Sequence, residues 1–281
     1  MNWNTRYAVT AESFAQIQKS LPSGWFVRGH ENGYVEPDTF SSFIKLNHVS
    51  LYNPVTNNEA IIYDHEPLFN ANKAKRVYAR HVHWNFLDHG EEITESLKHL
   101  DFLTTLINHK DGYIVDFRDS SSNHRDNGDI AAYVNGTKPR DIFFIRPSSF
   151  HYKNTVDPEK IPQSRKNRWV KEVLTHEVGH HEMWKNDNLK KFISLQKKWL
   201  YNSTNPLLQN QKMLDELTSC SGYGATNPTE NYAEHFAAWM NQGNVRVTPN
   251  QFTSHVAKEM GWPTSQVIEE HHGDIQKTRE Y

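Results

Sequence analysis

The sequence predicts an α+β fold: a small mixed sheet packed on a mostly helical region, preceded by an N-terminal α+β accessory part. Three observations lead there. Short alternating apolar runs, separated by Asn, Gly and Pro, fill residues 113–145. After Pro162 the text takes on helical periodicity with repeated helix-start signals. Up to about Asp88, by contrast, aromatics, Asn, Pro and Gly mix with brief apolar runs and no sustained period. The expected organisation is therefore residues 1–90 as the accessory region and 91–281 as the main domain.

In the accessory region, Gly24-Trp25-Phe26-Val27 and Ala60-Ile61-Ile62-Tyr63 are the clearest apolar runs. From Glu92, the residues Ile93, Leu97, Leu100, Leu103 and Leu106 recur at helical spacing and end near Asn108, before the turn pair Asp111-Gly112. Three strands should follow, over Tyr113–Phe117, Ile130–Val134 and Asp141–Ile145. The intervening polar run Ser120–Gly128 is too long for a tight hairpin, which marks it for function or mobility. Helices are expected over Ser164–Asn186, Asp187–Leu200 and Leu207–Ser219. Asn227-Pro228-Thr229-Glu230 starts another, with a capping Asn and Pro at the first helical position, and it should reach Asn241. Thr248-Pro249-Asn250-Gln251 starts the next, which ends at Gly261-Trp262-Pro263, and a last short helix covers Ser265–His271.

Composition narrows the chemistry. With 31 basic and 33 acidic residues the net charge is −2, so neither nucleic acid nor an anionic membrane surface is an expected partner. No stretch approaches membrane-spanning length, and Met1-Asn2-Trp3-Asn4-Thr5-Arg6 lacks the basic-then-apolar pattern of a secretory signal. A cytoplasmic location, or export by a specialised delivery system, is the corresponding expectation. Cys220 is the only cysteine, so an intrachain disulfide and a cysteine-rich metal site are both excluded. Metal ligands would have to come mainly from the 17 histidines and the carboxylates.

His176-Glu177-Val178-Gly179-His180 lies on a predicted helix. Two histidines four apart leave one helix face a turn apart and can converge on one ion, the geometry that zinc requires. Glu177, next to the first ligand, would hold and deprotonate a water that a metal acidifies from a pKa of 15.7 toward about 7. Val173, Leu174 and Val178 provide an apolar opposite side.

A catalytic zinc needs a third protein ligand and one open position. Met183 and Asn186 exclude a third histidine three turns on. Cys220 is conceivable as a ligand, although a lone cysteine is more often a small buried apolar residue. Glu230 is the better candidate, with Glu234 one turn later on the same face. Stacked like charges repel unless a cation or a metal-bound histidine lies near them. Glu230 also fits an ordinary capping glutamate three residues after Asn227. His181 and His235 are expected at the surface rather than on a second ion.

The run Ser221-Gly222-Tyr223-Gly224-Ala225-Thr226-Asn227-Pro228-Thr229-Glu230-Asn231-Tyr232-Ala233-Glu234-His235-Phe236-Ala237, about fifty residues after the histidine motif, resembles the second signature of the anthrax lethal factor catalytic-domain family, which includes the Pro-Pro endopeptidases. The likeness extends from about Glu92 to the C-terminus. It implies a zincin-type fold and a zinc endopeptidase of the gluzincin type. By matching position it implies one catalytic Zn2+ held by His176, His180 and Glu230, with Glu177 as general base. It further implies that Glu234 orients a liganding histidine and that Tyr223 stabilises the oxyanion. Without the resemblance, a tyrosine in a Gly-rich loop reads as a packing anchor.

The function expected is hydrolysis of a peptide bond in an extended protein or peptide substrate, with an exported toxin or effector as the setting. A strand edge such as Ile130–Val134 could receive that substrate by backbone pairing. Two rivals stay open: a zinc exopeptidase or other zinc hydrolase, and a non-catalytic binding module whose histidines are structural.

Overall fold

A computed structural model describes residues 18–35, 44–67, 85–117, 132–135, 142–145, 161–200, 210–242 and 246–277. The architecture is α+β. The strands are β1 (Phe26–Val35), β2 (Ile44–Asn53), β3 (Asn58–Pro67), β4 (Ile114–Phe117), β5 (Ala132–Asn135) and β6 (Ile142–Ile145). The helices are α1 (Asn85–Leu106), α2 (Gln163–Trp184), α3 (Asn188–Leu200), α4 (Gln211–Thr218), α5 (Pro228–Asn241), α6 (Gln251–Met260) and α7 (Ser265–Lys277). Two compact units divide the chain, one of residues 1–101 and 110–162, the other of residues 102–109 and 163–281.

The first unit holds one six-stranded mixed sheet in the order β1-β2-β3-β4-β6-β5. Its neighbours pair antiparallel except β3 with β4 and β4 with β6, which are parallel. Parallel neighbours need a crossover, and α1 supplies the one between β3 and β4. Strands from both sides of residue 90 thus share one sheet. Facing positions carry its core: Ala60 pairs with Val115 and Ile62 with Phe117, and all four are buried. Ile93, Leu97 and Leu100, spaced at the period read from the sequence, are the buried face of α1. The expected strand at Ile130–Val134 is present from Ala132 onward and lies at a sheet edge; Ile130 and the Ser120–Gly128 loop fall outside the described residues.

Asp101 ties this unit together. Its carboxylate accepts hydrogen bonds from Trp25 Nε1 (2.6 Å), Asn53 Nδ2 (3.0 Å), Thr56 Oγ1 (2.8 Å) and Asn58 Nδ2 (2.8 Å), which joins α1 to the β2–β3 turn. Burial raises its pKa, and the four hydrogen bonds oppose that rise. Gly112 follows the same turn closely: at φ +66° a Cβ there would stand 2.2 Å from the Asn57 carbonyl oxygen, so only glycine fits. Asp101→Ala strips the acceptor from four inward-facing donors and is expected to destabilise this unit by about 3–5 kcal/mol. Urea denaturation followed by Trp fluorescence measures it, and a loss under about 1 kcal/mol would mean that the cradle is incidental.

The second unit is helical. Val170, Leu174, Val178, Phe192, Leu214, Tyr232, Phe236, Met240, Phe252 and Val256 form its core. Asn250 caps α6 in a reciprocal box with Thr253, and Gly261 ends that helix in the left-handed conformation, both at the positions the sequence marks. Helix α7 runs past the expected His271 end to Lys277. Among the described residues no helix is long and apolar enough to cross a membrane.

Candidate metal centre

Two helices build the centre. On α2, Val170, Leu174 and Val178 are fully buried, and that anchoring fixes the rotation of the helix about its axis. His176 and His180 then share a face one turn apart, with ring centroids 4.7 Å apart and planes at 83°. On α5, the Asn227 side chain accepts from the backbone N–H groups of Thr229 and Glu230, both at 3.0 Å, and Pro228 occupies the first turn. This cap places Glu230 at the positive end of the helix dipole. Its side chain turns toward the histidines. The two helices approach closely at Gly179, between the two histidines: a Cβ there would lie 3.0 Å from Ala233 Cα and 3.2 Å from Phe236 Cβ.

That approach brings the candidate ligands together. Glu230 Oε2 stands 2.9 Å from His176 Nε2 and 3.2 Å from His180 Nε2. Donor atoms of His176, His180 and Glu230 all lie within 4.8 Å of one another, the one such group among the described residues that could hold a metal ion. Behind them, His176 Nδ1 donates to Glu234 Oε1 at 2.9 Å, an outer carboxylate that fixes the ring orientation and turns Nε2 toward Glu230. Glu177 is buried beside His176. The Tyr223 ring lies 5.7 Å from the His176 ring at 37° and is 56% exposed. All six residues named from the sequence therefore meet in one place.

The electrostatics favour a cation there. Burial alone would lower the His176 pKa, but hydrogen bonds to Glu230 and Glu234 and the charge of Glu177 raise it to about 10. Burial would raise Glu230, yet the two histidines hold its carboxyl far below the usual range. Glu234 is likewise lowered: desolvation is outweighed by hydrogen bonds to His176 and Ser221 and by the charges of His176 and Arg246. Glu177 moves the other way, raised by burial with the two histidines opposing. The Tyr223 phenol is pushed up to about 12 by burial and by the charges of Glu230 and Glu177, so it keeps its proton. Two imidazole nitrogens, one carboxylate oxygen and an outer carboxylate are a donor set that suits a divalent transition metal.

Two histidines depart from expectation. His181 and His235 are buried, not on the surface. The reason is shared: α2 and α5 are packed on nearly all sides around the motif, so even the face opposite the ligands is covered. His181 Nδ1 meets Glu182 Oε1 at 3.2 Å, and its ring packs edge-on to His109. Glu182 also accepts from Lys185 at 2.5 Å. His235 Nδ1 lies 2.8 Å from Thr253 Oγ1, and the ring packs against both Phe192 and Phe252. Cys220 is a half-buried free thiol whose pKa burial pushes up to about 12; it lies outside the ligand group.

Burial pushes the His235 pKa down to about 4, against a smaller upward pull from the Thr218 backbone and the Glu234 charge. The unfolded imidazole takes its proton near 6.5. Between those values the unfolded chain holds more protons, so this residue withdraws stability as pH falls from 6.5 toward 4, by about 3 kcal/mol in full. His235→Gln is therefore expected to flatten that part of the stability profile relative to the parent. Urea midpoints at pH 7 and pH 4.5 report the difference; parallel profiles would show that the ring is protonated in the fold.

One contact escaped the sequence reading. Glu172, one turn before His176, accepts from the Arg246 backbone N–H at 3.0 Å and pairs with its guanidinium at 3.3 Å. Its i, i+4 spacing to His176 was the available signal, since that places it on the ligand face.

Comparison with family models, with curated proteins and with solved structures finds no match to this chain.

Proposed function

We propose that this chain is a zinc-dependent endopeptidase of the gluzincin type, as its likeness to the lethal factor catalytic-domain family implies. The observation that carries the reading is the convergence of His176, His180 and Glu230 from two helices within 4.8 Å, with Glu177 beside them and Glu234 behind His176. A chance histidine pair would have no reason to meet a carboxylate from a helix fifty residues away. The donor set matches zinc with two His and one Glu, an ion that supplies Lewis acidity toward a carbonyl and acidifies bound water.

The chain's own residues do the rest. Glu177, desolvated and with a raised pKa, is a better proton acceptor than a solvated glutamate, so it takes the proton from the attacking water. The same carboxyl then returns that proton to the leaving amine nitrogen. Tyr223 keeps its phenolic proton at neutral pH and donates it in a hydrogen bond to the oxygen that becomes negative as the peptide carbon turns tetrahedral. Glu234 holds the His176 ring so that Nε2 stays aimed at the ligand position.

Metal quantification on the purified protein, followed by mass-spectrometric cleavage profiling of a denatured protein mixture, tests the proposal. One zinc per chain and internal cuts are expected. Cuts confined to chain ends would make it an exopeptidase, and zinc without hydrolysis would make it a binding module.

A further inference from the structure

Glu230 is a half-buried side chain at the start of a helix, where chain ends ordinarily fray. Asn227 restrains it from the N-terminal side. The residue after it, Asn231, restrains it from the other, by contacts that touch neither histidine. Asn231 is fully buried, and its Nδ2 lies 3.1 Å from Thr218 Oγ1, 3.3 Å from Asp215 Oδ1 and 3.3 Å from the Asp215 carbonyl oxygen, all on α4. Asp215 and Thr218 are themselves buried and pinned. Gln196 Nε2 of α3 donates to Asp215 Oδ1 at 2.8 Å and lies 2.9 Å from Thr218 Oγ1. Gln211 Nε2 donates to Asp215 Oδ1 at 3.0 Å, and Thr218 Oγ1 donates to the Leu214 carbonyl at 2.7 Å. The Thr218 carbonyl accepts from Asn250, the cap of α6, at 3.0 Å.

A buried carboxylate ringed by amides is costly to misplace, since each donor has one geometry that satisfies it. It therefore serves as a fixed post to which the first turn of α5 is tied. The turn that continues from Thr218 is anchored there too: the Ser219 N–H donates to the Asp215 carbonyl at 2.9 Å, Ser219 Oγ donates to the Ser221 carbonyl, and the N–H of Gly224, next to Tyr223, donates to Ser221 Oγ. Rotation of the first turn of α5 by a small angle would carry the Glu230 carboxylate out of reach of His180, because a side chain swings through an arc at the helix surface.

We propose that Asn231 is a positioning residue: through the buried cluster of Asp215, Thr218 and Gln196 it holds the backbone of Glu230 so that its carboxylate completes the metal site. This rests on the metal-site reading above and goes beyond it by assigning the site's rigidity to a particular contact outside it. The hydrogen bonds of the Asn231 side chain go to α4 and not to a ligand, so its influence on the site runs through the backbone of Glu230.

A double-mutant cycle on zinc affinity, measured by competition with a chromophoric chelator at fixed pH, tests the role. Four full-length proteins are compared: the parent, Asn231→Ala, Glu230→Gln, and the double variant. Asn231→Ala is expected to weaken zinc binding about tenfold when Glu230 is present, the lower range for loss of an outer-shell contact, and to leave the Glu230→Gln affinity unchanged within about twofold. Equal weakening in both backgrounds means a general packing role and overturns the proposal, as does no weakening in the parent background. Thr218→Val, which keeps side-chain shape and removes the acceptor, is the milder second variant should Asn231→Ala not fold; about threefold, again only with Glu230 present, is expected. If the parent binds no zinc, the functional reading fails and takes this role with it. If the parent binds one zinc and Glu230→Gln weakens it, but the Asn231 effect is additive, only the positioning role fails.

Discussion

Glu177→Ala is expected to lower peptide hydrolysis by about a thousandfold while one zinc per chain is retained. The magnitude follows from the role: a positioned general base contributes on the order of 10²–10⁴ in rate, and a thousandfold is about 4 kcal/mol of barrier. Retention of metal follows from geometry, because Glu177 is not among the three residues whose donor atoms converge. Glu177→Gln sharpens the comparison, since it keeps the shape and removes the basicity. Its carboxylate is buried, so the alanine variant also leaves a small void, and the glutamine variant separates that effect from lost proton transfer. Steady-state rates on a peptide found by cleavage profiling, read beside metal content, check the outcome. Undiminished turnover would remove the base, and loss in proportion to lost zinc would make Glu177 a structural support of the site.

Tyr223→Phe should lower kcat by about a hundredfold with KM and zinc content nearly unchanged. One oxyanion donor is worth about 3 kcal/mol when it strengthens only as charge develops. The structure allows this role in two respects. The ring stands 5.7 Å from that of His176, at the edge of the ligand group, and the residue is more than half exposed, so a substrate can reach it. A core anchor would be covered. The phenol is also raised to about 12, so it remains a donor throughout the neutral range. Equal kcat in the phenylalanine variant would return Tyr223 to the bland reading of a loop aromatic.

The legible parts of the fold share a physical cause. The start of helix α5 could be read to the residue because Asn227 and Pro228 act locally, within one turn. Helix α6 was as clear for the same reason, with Asn250 and Gly261 at its ends. The strand at Ile114–Phe117 showed through its alternation. The six-strand order did not, because parallel pairing of β3 with β4 joins residues more than fifty positions apart and leaves no local mark. Asp101 was equally silent: four donors from two separate segments, Trp25 and the β2–β3 turn, meet it only after the turn and the helix have docked.

At the candidate metal centre the division is sharper. Residue type and i, i+4 spacing were enough to single out His176, His180 and the Glu230–Glu234 pair, because helical geometry fixes which side chains share a face before any tertiary contact forms. The wrong expectation, that His181 and His235 lie at the surface, came from the same local view. Whether the far face of a helix is wet depends on what packs there, and a single helix cannot say. Only the folded unit decided that α2 and α5 touch at Gly179 and Ala233, that Glu230 thereby reaches both imidazoles, and that Asp215 and Asn231 lock that arrangement from behind. Spacing along a chain sets which side chains can converge; the close approach of two helices, made by burying their apolar faces, sets which ones do.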